Sequence, residues 1–192
     1  MEKNVVYFEK PGGDENTDST LVLAKARAEE LGIKTIVVAS TVGGTAVRAV
    51  DVFKGFKVII VTHVTGFREP NVQEFTPENR KIVEQKGGII LTAAHAFGAI
   101  HRSLGTGGGP PAPSNNIGDI VAMTLRTFGQ GMKVACEIAA MAADAGLVRT
   151  DEEIISIGGT GRGADTAAVI QPSHVHRFFN LRVKEIICKP RL

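Results

Sequence analysis

Hydroxyl and glycine residues are concentrated at a point of the chain where a predicted strand ends and a predicted helix begins. This segment is Ser40, Thr41, Val42, Gly43, Gly44 and Thr45. The two glycines allow the backbone to turn sharply and expose its N–H groups, and the helix N-terminus adds partial positive charge. With three hydroxyls beside them, these groups predict a phosphate site that needs no lysine. The alternative is an ordinary strand-to-helix turn with a capped helix.

A second glycine-rich segment follows a later predicted strand. It consists of Gly159, Thr160, Gly161, Arg162 and Gly163, and its third glycine comes one position earlier than in the dinucleotide-binding fingerprint. Arg162 can hold an anion through two parallel hydrogen bonds. The alternative is a bulged turn with a solvated arginine. Because open α/β sheets bind ligands beyond the carboxyl ends of their strands, two such loops at one edge predict a ligand pocket.

Two further predicted strand ends carry a threonine, a histidine and then a phenylalanine. The residues are Thr62, His63 and Phe67 in one segment and Thr92, His95 and Phe97 in the other. Hydrogen-bonding groups and flat faces around one cleft would suit a planar heterocycle. The alternative is that polar residues occur here only because strand ends contact water.

The histidines form no motif that is typical of a metal site. They are His63, His95, His101, His174 and His176, and only the last two are close in sequence. Closed metal sites need three or four ligands, so we expect no metal. A Gly-x-Ser-x-Gly nucleophile motif is also missing, which gives a Ser/His/Asp triad little support.

Short apolar runs separated by helix-like stretches must position these residues. Strands are predicted at 4–8, 35–40, 57–62, 88–93 and 153–159. They are followed by a short segment at 167–171, a helical turn from Ser173 and a last strand at 182–189. An antiparallel position at an edge of the sheet is one option for this last strand. Several runs, such as 36–39 and 58–61, are apolar throughout rather than alternately. Such runs are typical of parallel strands covered on both faces.

The stretches between the strands have helical patterns with clear ends. Helices are predicted at 18–31, capped by Thr17 or Asp18, at 45–54, from Thr76 and Pro77 to about 86, and over 117–146 with a break near 129–131. Alternating strands and helices predict an α/β fold of three α/β/α layers around a doubly wound, mostly parallel sheet.

The composition fits one domain with an apolar core. The chain has 192 residues, 43% of them hydrophobic, and a net charge of +2. We therefore predict a single domain over 1–192, in which the Gly/Pro tract 105–113 and added helices lie at about 103–147. The alternative is that this tract links two domains. No basic patch indicates binding of nucleic acid, and no segment is suited to cross a bilayer. The two cysteines are far apart in the sequence, so we expect buried thiols in a cytoplasmic protein.

Residues 35–48, followed by 56–62, resemble the carboxyl-terminal α/β domain of pyruvate kinase. That domain has a strand, a Thr-x-x-Gly-x-Thr-Ala turn, a helix and a strand ending in threonine, and the order of elements agrees over most of this chain. The resemblance implies that Ser40, Thr41, Gly43, Gly44 and Thr45 bind a phosphate. It does not imply pyruvate kinase activity, because the catalytic residues of that enzyme lie in a barrel with no counterpart in this sequence.

The chain is more similar to small stand-alone proteins related to that domain, and this resemblance implies FMN as the ligand. The expected function is therefore binding of a small phosphate-bearing ligand, FMN or a similar nucleotide, at the carboxyl ends of the strands. One alternative is a flavin-dependent oxidoreductase or a small-molecule hydrolase acting through His63 or His95. Another is a regulatory or assembly module, in which the apolar helix at 132–145 forms the face of a homo-oligomer.

Overall fold

A seven-stranded sheet forms the centre of the computed structural model, which describes residues 4–98 and 116–192. The strands are β1 (Val6–Phe8), β2 (Thr35–Ala39), β3 (Lys57–Val61), β4 (Ile89–Leu91), β5 (Ile154–Gly158), β6 (Thr166–Gln171) and β7 (Arg182–Pro190). Their spatial order is β1-β7-β6-β5-β2-β3-β4. β6 runs antiparallel to both of its neighbours, and every other pairing is parallel.

Helices cover both faces of this sheet. They are α1 (Asp14–Leu31), α2 (Gly44–Val52), α3 (Pro77–Gln85), α4 (Ile117–Arg126) and α5 (Gln130–Asp144), with a 3₁₀ helix at Val175–Asn180. One core lies between the sheet and α1, α2 and α3. The second core lies between the sheet and α5, with α4 packed against α5. The predicted three-layer, doubly wound and mostly parallel fold is thereby confirmed.

The uninterrupted apolar runs follow from burial of the strands on both faces. In β2, Ile36 and Val38 contact the core beneath α1 to α3, while Val37 between them belongs to the core beneath α5. All three are fully buried. Successive side chains of a strand point to opposite faces, so a strand that is covered twice needs apolar residues at every position.

The predicted start of the first helix was wrong. α1 begins at Asp14, with Gly13 as its N-cap, and not near residue 18. Thr17, one of the predicted caps, lies inside the helix, where its hydroxyl donates to the carbonyl of Gly13 and accepts from the N–H of Ala164. Asp14 and Glu15 account for the earlier start, because acidic side chains are favourable in a first helical turn.

The option of an antiparallel edge position for the last strand is met in part. β7 is antiparallel to β6, but it is not an edge strand, because β1 pairs with it on the other side. The register joins Val6 to Cys188, far apart in the sequence. β1 contributes only three residues, too few to show from the sequence which strand they would join.

The structure describes only part of the segment at about 103–147, for which a Gly/Pro tract and added helices are predicted. α4 and α5 lie where the helical pattern placed them, with the predicted break at Gly129 between them. The Gly/Pro tract 105–113 lies outside the described residues. Among the helices that are described, none combines the length and the apolar character needed to cross a membrane.

Both cysteines are buried free thiols, and this predicts a specific reactivity. Burial raises the pKa of Cys136 to about 12, and burial is also the main reason why the pKa of Cys188 is raised to about 11. Below those values the groups stay protonated, and the thiolate is the reacting form. The folded protein should therefore be inert to a thiol reagent such as DTNB at pH 8. In denaturant both thiols should react, whereas rapid reaction of the folded protein would contradict the described packing.

Candidate functional site

A cleft opens at the carboxyl ends of the central strands, where the winding of the sheet reverses. From β2 the chain passes outward through α2, β3, α3 and β4. It then returns through α4 and α5 on the opposite face to β5, which pairs with the other side of β2. Open α/β sheets bind ligands at such switch points. The cleft has a volume of about 560 Å³ and is bordered by both glycine-rich segments.

Helix α3 fixes the shape of the turn between β2 and α2. Gly43 has a φ of 107°, and a Cβ atom at this position would lie 2.4 Å from the Cβ of Asn79. The side-chain amide of Asn79 donates to the carbonyl oxygen of Val42 at 2.9 Å. The backbone N–H of Thr76 donates to the same oxygen at 3.3 Å. Gly43 therefore serves the conformation of the turn, and it does not line the cleft.

The same turn presents several backbone donors. The Ser40 hydroxyl accepts from the N–H of Ala46 at 3.2 Å, so Ser40 stabilises the start of α2 from a buried position. The N–H groups of residues 42–45 donate to no acceptor among the described residues. Such orphan donors are expected in the first turn of a helix, and here they adjoin a cleft that Thr41, Gly44 and Thr45 line.

The second glycine-rich segment is a hairpin loop between β5 and β6, held by a buried carboxylate. One oxygen of Asp165 accepts from the N–H of Thr160 at 3.1 Å and from the N–H of Gly12 at 3.0 Å. Its other oxygen accepts from the hydroxyl of Thr166 at 2.7 Å. This network orders the loop from inside, while Arg162 at its tip is exposed and lines the cleft.

Aromatic rings form a further wall of the cleft. The ring centre of His63 lies 4.2 Å from that of Phe67 and 5.2 Å from that of His95. Phe67 and His95 are stacked at 5.2 Å. Thr62 is buried and its hydroxyl lies 2.7 Å from that of Thr92, so this pair joins the ends of β3 and β4. Thr92 itself does not line the cleft.

His63 connects two polar side chains of other segments. Its Nδ1 lies 2.8 Å from Oε2 of Glu74, and its Nε2 lies 3.4 Å from the hydroxyl of Thr41. Glu74 also pairs with the guanidinium of Arg68, at 3.1 Å between Oε1 and Nε. The order is therefore carboxylate, imidazole and hydroxyl, along one side of the cleft.

Helix α5 contributes a buried ion pair to the opposite side. Lys133 binds Glu137, and both side chains are almost completely buried. Glu137 also accepts from the backbone N–H of Phe97 at 3.0 Å, and the Lys133 ammonium lies 5.5 Å from the centre of the Phe97 ring. Both charged residues line the cleft, so the pair separates it from the core beneath α5.

Most of the residues proposed from the sequence line this one cleft. They are Ser40, Thr41, Gly44, Thr45, Thr62, His63, Phe67, His95, Gly159, Gly161, Arg162 and Gly163. Gly43, Thr92, Phe97 and Thr160 are not among the lining residues, and each supports a neighbouring part of the wall instead. Thr160 does so through its N–H bond to Asp165.

Several lining residues were missed because they do not directly follow a strand. The polar ones and one methionine are Asp14, Arg48, Arg68, Glu74, Arg126, Gln130, Lys133, Glu137 and Met141. For Lys133 and Glu137 a signal was available: two charges of opposite sign, four residues apart, inside a helix that is otherwise apolar and buried. For Glu74 no comparable signal exists in the sequence.

Comparisons with solved structures found partial likenesses. One is to O-ureido-L-serine synthase, with 21% identity and a TM-score of 0.30 over 67% of this chain and 39% of that one. Another is to the O-ureido-L-serine-bound form of a mutant of that enzyme, with 18% identity and a TM-score of 0.30 over 69% of this chain and 48% of that one. This chain spans less than half the length of either, and likenesses at this TM-score carry no argument about function.

A comparison of the sequence with models of protein families identifies the family of this chain. The model of the family described as "Pyruvate kinase, alpha/beta domain" matches residues 18–170, which is most of the chain. The matched region runs from α1 to β6 and includes both glycine-rich segments of the cleft. The chain therefore belongs to the pyruvate kinase alpha/beta domain family.

Proposed function

We propose that the cleft binds a small phosphate-bearing ligand, with FMN as the specific candidate, and that the protein has no pyruvate kinase activity. The observation that carries the proposal is the meeting of two groups of donors in one cleft. The orphan N–H groups of residues 42–45 come from one side and the exposed guanidinium of Arg162 from the other. Amides at a helix N-terminus and a bidentate arginine are favourable partners of a phosphate dianion.

The charges around the cleft support an anionic ligand. Arg48 and Arg126 line the cleft in addition to Arg162. Arg48 lies 3.4 Å from Asp14 and 3.6 Å from Asp18, and its side chain is 41% exposed, so it can still reach a bound anion. Two of the acidic lining residues already have cationic partners, since Glu74 contacts Arg68 and Glu137 binds Lys133.

The far side of the cleft supports a planar group on that ligand. The rings of His63, Phe67 and His95 are close enough to form one aromatic surface. The volume of about 560 Å³ lies within the ~300–1,000 Å³ that is usual for small-molecule and cofactor sites. In the proposed complex the phosphate of FMN occupies the turn after β2, and the isoalloxazine ring lies against the aromatic surface.

Titration with FMN and with riboflavin tests this proposal. The two molecules share the ring and differ in the phosphate. FMN should bind at least ~10-fold more tightly, because a charge-assisted hydrogen bond contributes about 1.5–3 kcal/mol and 1.4 kcal/mol corresponds to tenfold in affinity. The absorbance of the purified protein and mass spectrometry of any molecule released on denaturation identify a bound flavin. A protein that is isolated colourless and binds neither flavin would exclude FMN.

The Arg162→Ala variant tests the position of the phosphate. Loss of the guanidinium should weaken FMN binding by ~10- to 100-fold and leave riboflavin binding unchanged, since only FMN carries the anion. Arg149→Ala is the matched control, because Arg149 is exposed and pairs with Asp151 away from the cleft. Equal effects of Arg162→Ala on both flavins would place the phosphate elsewhere.

A further inference from the structure

The side chains of Thr41, His63 and Glu74 form a relay whose components come from three separate segments. Thr41 follows β2, His63 follows β3 and Glu74 precedes α3. Glu74 has only 13% of its side chain exposed and His63 only 29%. All three line the cleft, so the hydroxyl end of the relay is accessible to a small molecule.

Neighbouring contacts hold the imidazole in place. The side-chain amide of Gln73 donates to the carbonyl oxygen of His63 at 3.0 Å, and its oxygen accepts from the N–H of Phe75 at 3.0 Å. These bonds tie the backbone at His63 to the segment that carries Glu74. The ring of Phe67 lies against the imidazole at 4.2 Å between ring centres. Support of this kind is what a general base needs in order to keep one orientation.

The carboxylate determines which imidazole nitrogen can act as a base. A carboxylate can only accept a hydrogen bond, so Nδ1 of His63 carries the proton in the 2.8 Å contact with Glu74. In the neutral ring, Nε2 then presents its lone pair to the hydroxyl of Thr41 at 3.4 Å. The order of roles equals that of a serine-hydrolase triad, which is recognised by geometry and not by sequence position. At 3.4 Å this contact is at the long end of hydrogen-bond distances, and a small rotation of the Thr41 side chain would shorten it.

We propose that this relay makes the cleft a site of ester hydrolysis, with Thr41 as nucleophile and His63 as general base. The oxygen of Thr41 forms a bond to the acyl carbon while its proton moves to Nε2 of His63. The bond from that carbon to the leaving oxygen breaks, and His63 returns the proton to the departing alcohol. Water then attacks the acyl-threonine with His63 again as base, which releases the acid and restores the hydroxyl. In sum, one ester and one water give one acid and one alcohol.

The turn after β2 also supplies groups that favour this chemistry. Thr41 lies between a strand and a helix, and the N–H groups of residues 42–45 that follow it have no acceptor among the described residues. Backbone N–H groups in such a position can stabilise the negative oxygen of a tetrahedral intermediate. This inference does not require a flavin, so a failure of the FMN titration leaves it untouched. The hydrolysis uses the same turn and the same histidine as the proposed FMN site, so bound FMN should inhibit it.

Hydrolysis of p-nitrophenyl acetate by the purified protein tests the inference. The wild-type protein should show saturable release of p-nitrophenol, and mass spectrometry of its peptides should find an acetyl group on Thr41. Thr41→Val, which keeps the shape and removes the hydroxyl, should lower the rate by on the order of 10²-fold or more, whereas Thr41→Ser should retain most of it. His63→Gln should cause a loss as large as that of Thr41→Val, because the two residues act as a unit.

Glu74 is a positioning residue in this scheme, and its variant has its own readout. Glu74→Gln should lower kcat by on the order of 10²-fold with little change in KM, because the amide no longer selects the required tautomer. His174→Gln is the control, and this variant should hydrolyse the ester at the wild-type rate, since His174 lies outside the cleft. The inference is overturned if Thr41→Val keeps the wild-type rate, if the acetyl group is found on another residue, or if hydrolysis is no faster than with free imidazole. Far-UV circular dichroism checks that each variant is folded.

Discussion

Replacing Lys133 by methionine should lower the free energy of unfolding by about 3–5 kcal/mol, because it leaves the carboxylate of Glu137 buried without its cation. Methionine keeps the length and apolar character of the side chain, so little packing is lost. Both side chains of the pair are less than a tenth exposed, so water can replace little of the interaction with the ammonium. Chemical denaturation monitored by circular dichroism measures the change.

Two further variants separate the buried charge from other effects. Adding Glu137→Gln to Lys133→Met should recover most of the loss, because the neutral amide oxygen can still accept from the N–H of Phe97. Glu84→Gln is the exposed control. Glu84 pairs with Arg80 at the same spacing along α3, and exposed pairs of this kind contribute only about 0.3–0.5 kcal/mol. A single Lys133→Met variant as stable as the exposed control would show that the pair is hydrated.

The strands show how far the sequence predicts this fold. The uninterrupted apolar residues of β2 and β3 indicated burial on both faces, and that pattern favours a parallel sheet between two layers of helices. β6 also has an uninterrupted apolar run, at residues 167–170, and lies antiparallel, so the apolar pattern alone does not give the direction of a strand. Gly158 and Thr166 are close in the sequence and no helix lies between them, so the two strands can only be joined as a hairpin.

The cleft was predictable where a general rule links sequence to position. β2 and β5 are parallel neighbours, so the segments that follow them must meet at one edge of the sheet. No such rule links Asp165 to the N–H of Gly12, because that contact joins distant parts of the chain. The partnership of Glu74 with His63 likewise depends on the path of an irregular segment between β3 and α3. Contacts of this kind are set by tertiary packing and have no periodic signal.

The contact between Gly13 and the hairpin loop also depends on tertiary packing, and a substitution that disturbs this contact should lower the stability of the protein strongly. A Cβ atom on Gly13 would lie 1.1 Å from the carbonyl oxygen of Arg162 and 2.5 Å from the nitrogen of Gly163. Both of these atoms belong to the backbone, so no side chain can rotate away to make room. Gly13→Ala should therefore lower the free energy of unfolding by about 3 kcal/mol, at the upper end of what overpacking usually costs.

Gly161→Ala is the matched control in the same loop. Gly161 has a φ of 75°, but a Cβ atom there would meet nothing within 4 Å, so the cost is the strain of a left-handed residue, about 1–2 kcal/mol. The two variants should also differ in hydrogen exchange. In Gly13→Ala the added methyl group would displace the loop and weaken the bond from the N–H of Thr160 to Asp165, so that amide should exchange faster there than in Gly161→Ala. Equal stability and equal exchange in the two variants would mean that the N-terminal segment does not support the loop, and the position of Arg162 in the cleft would then need another explanation.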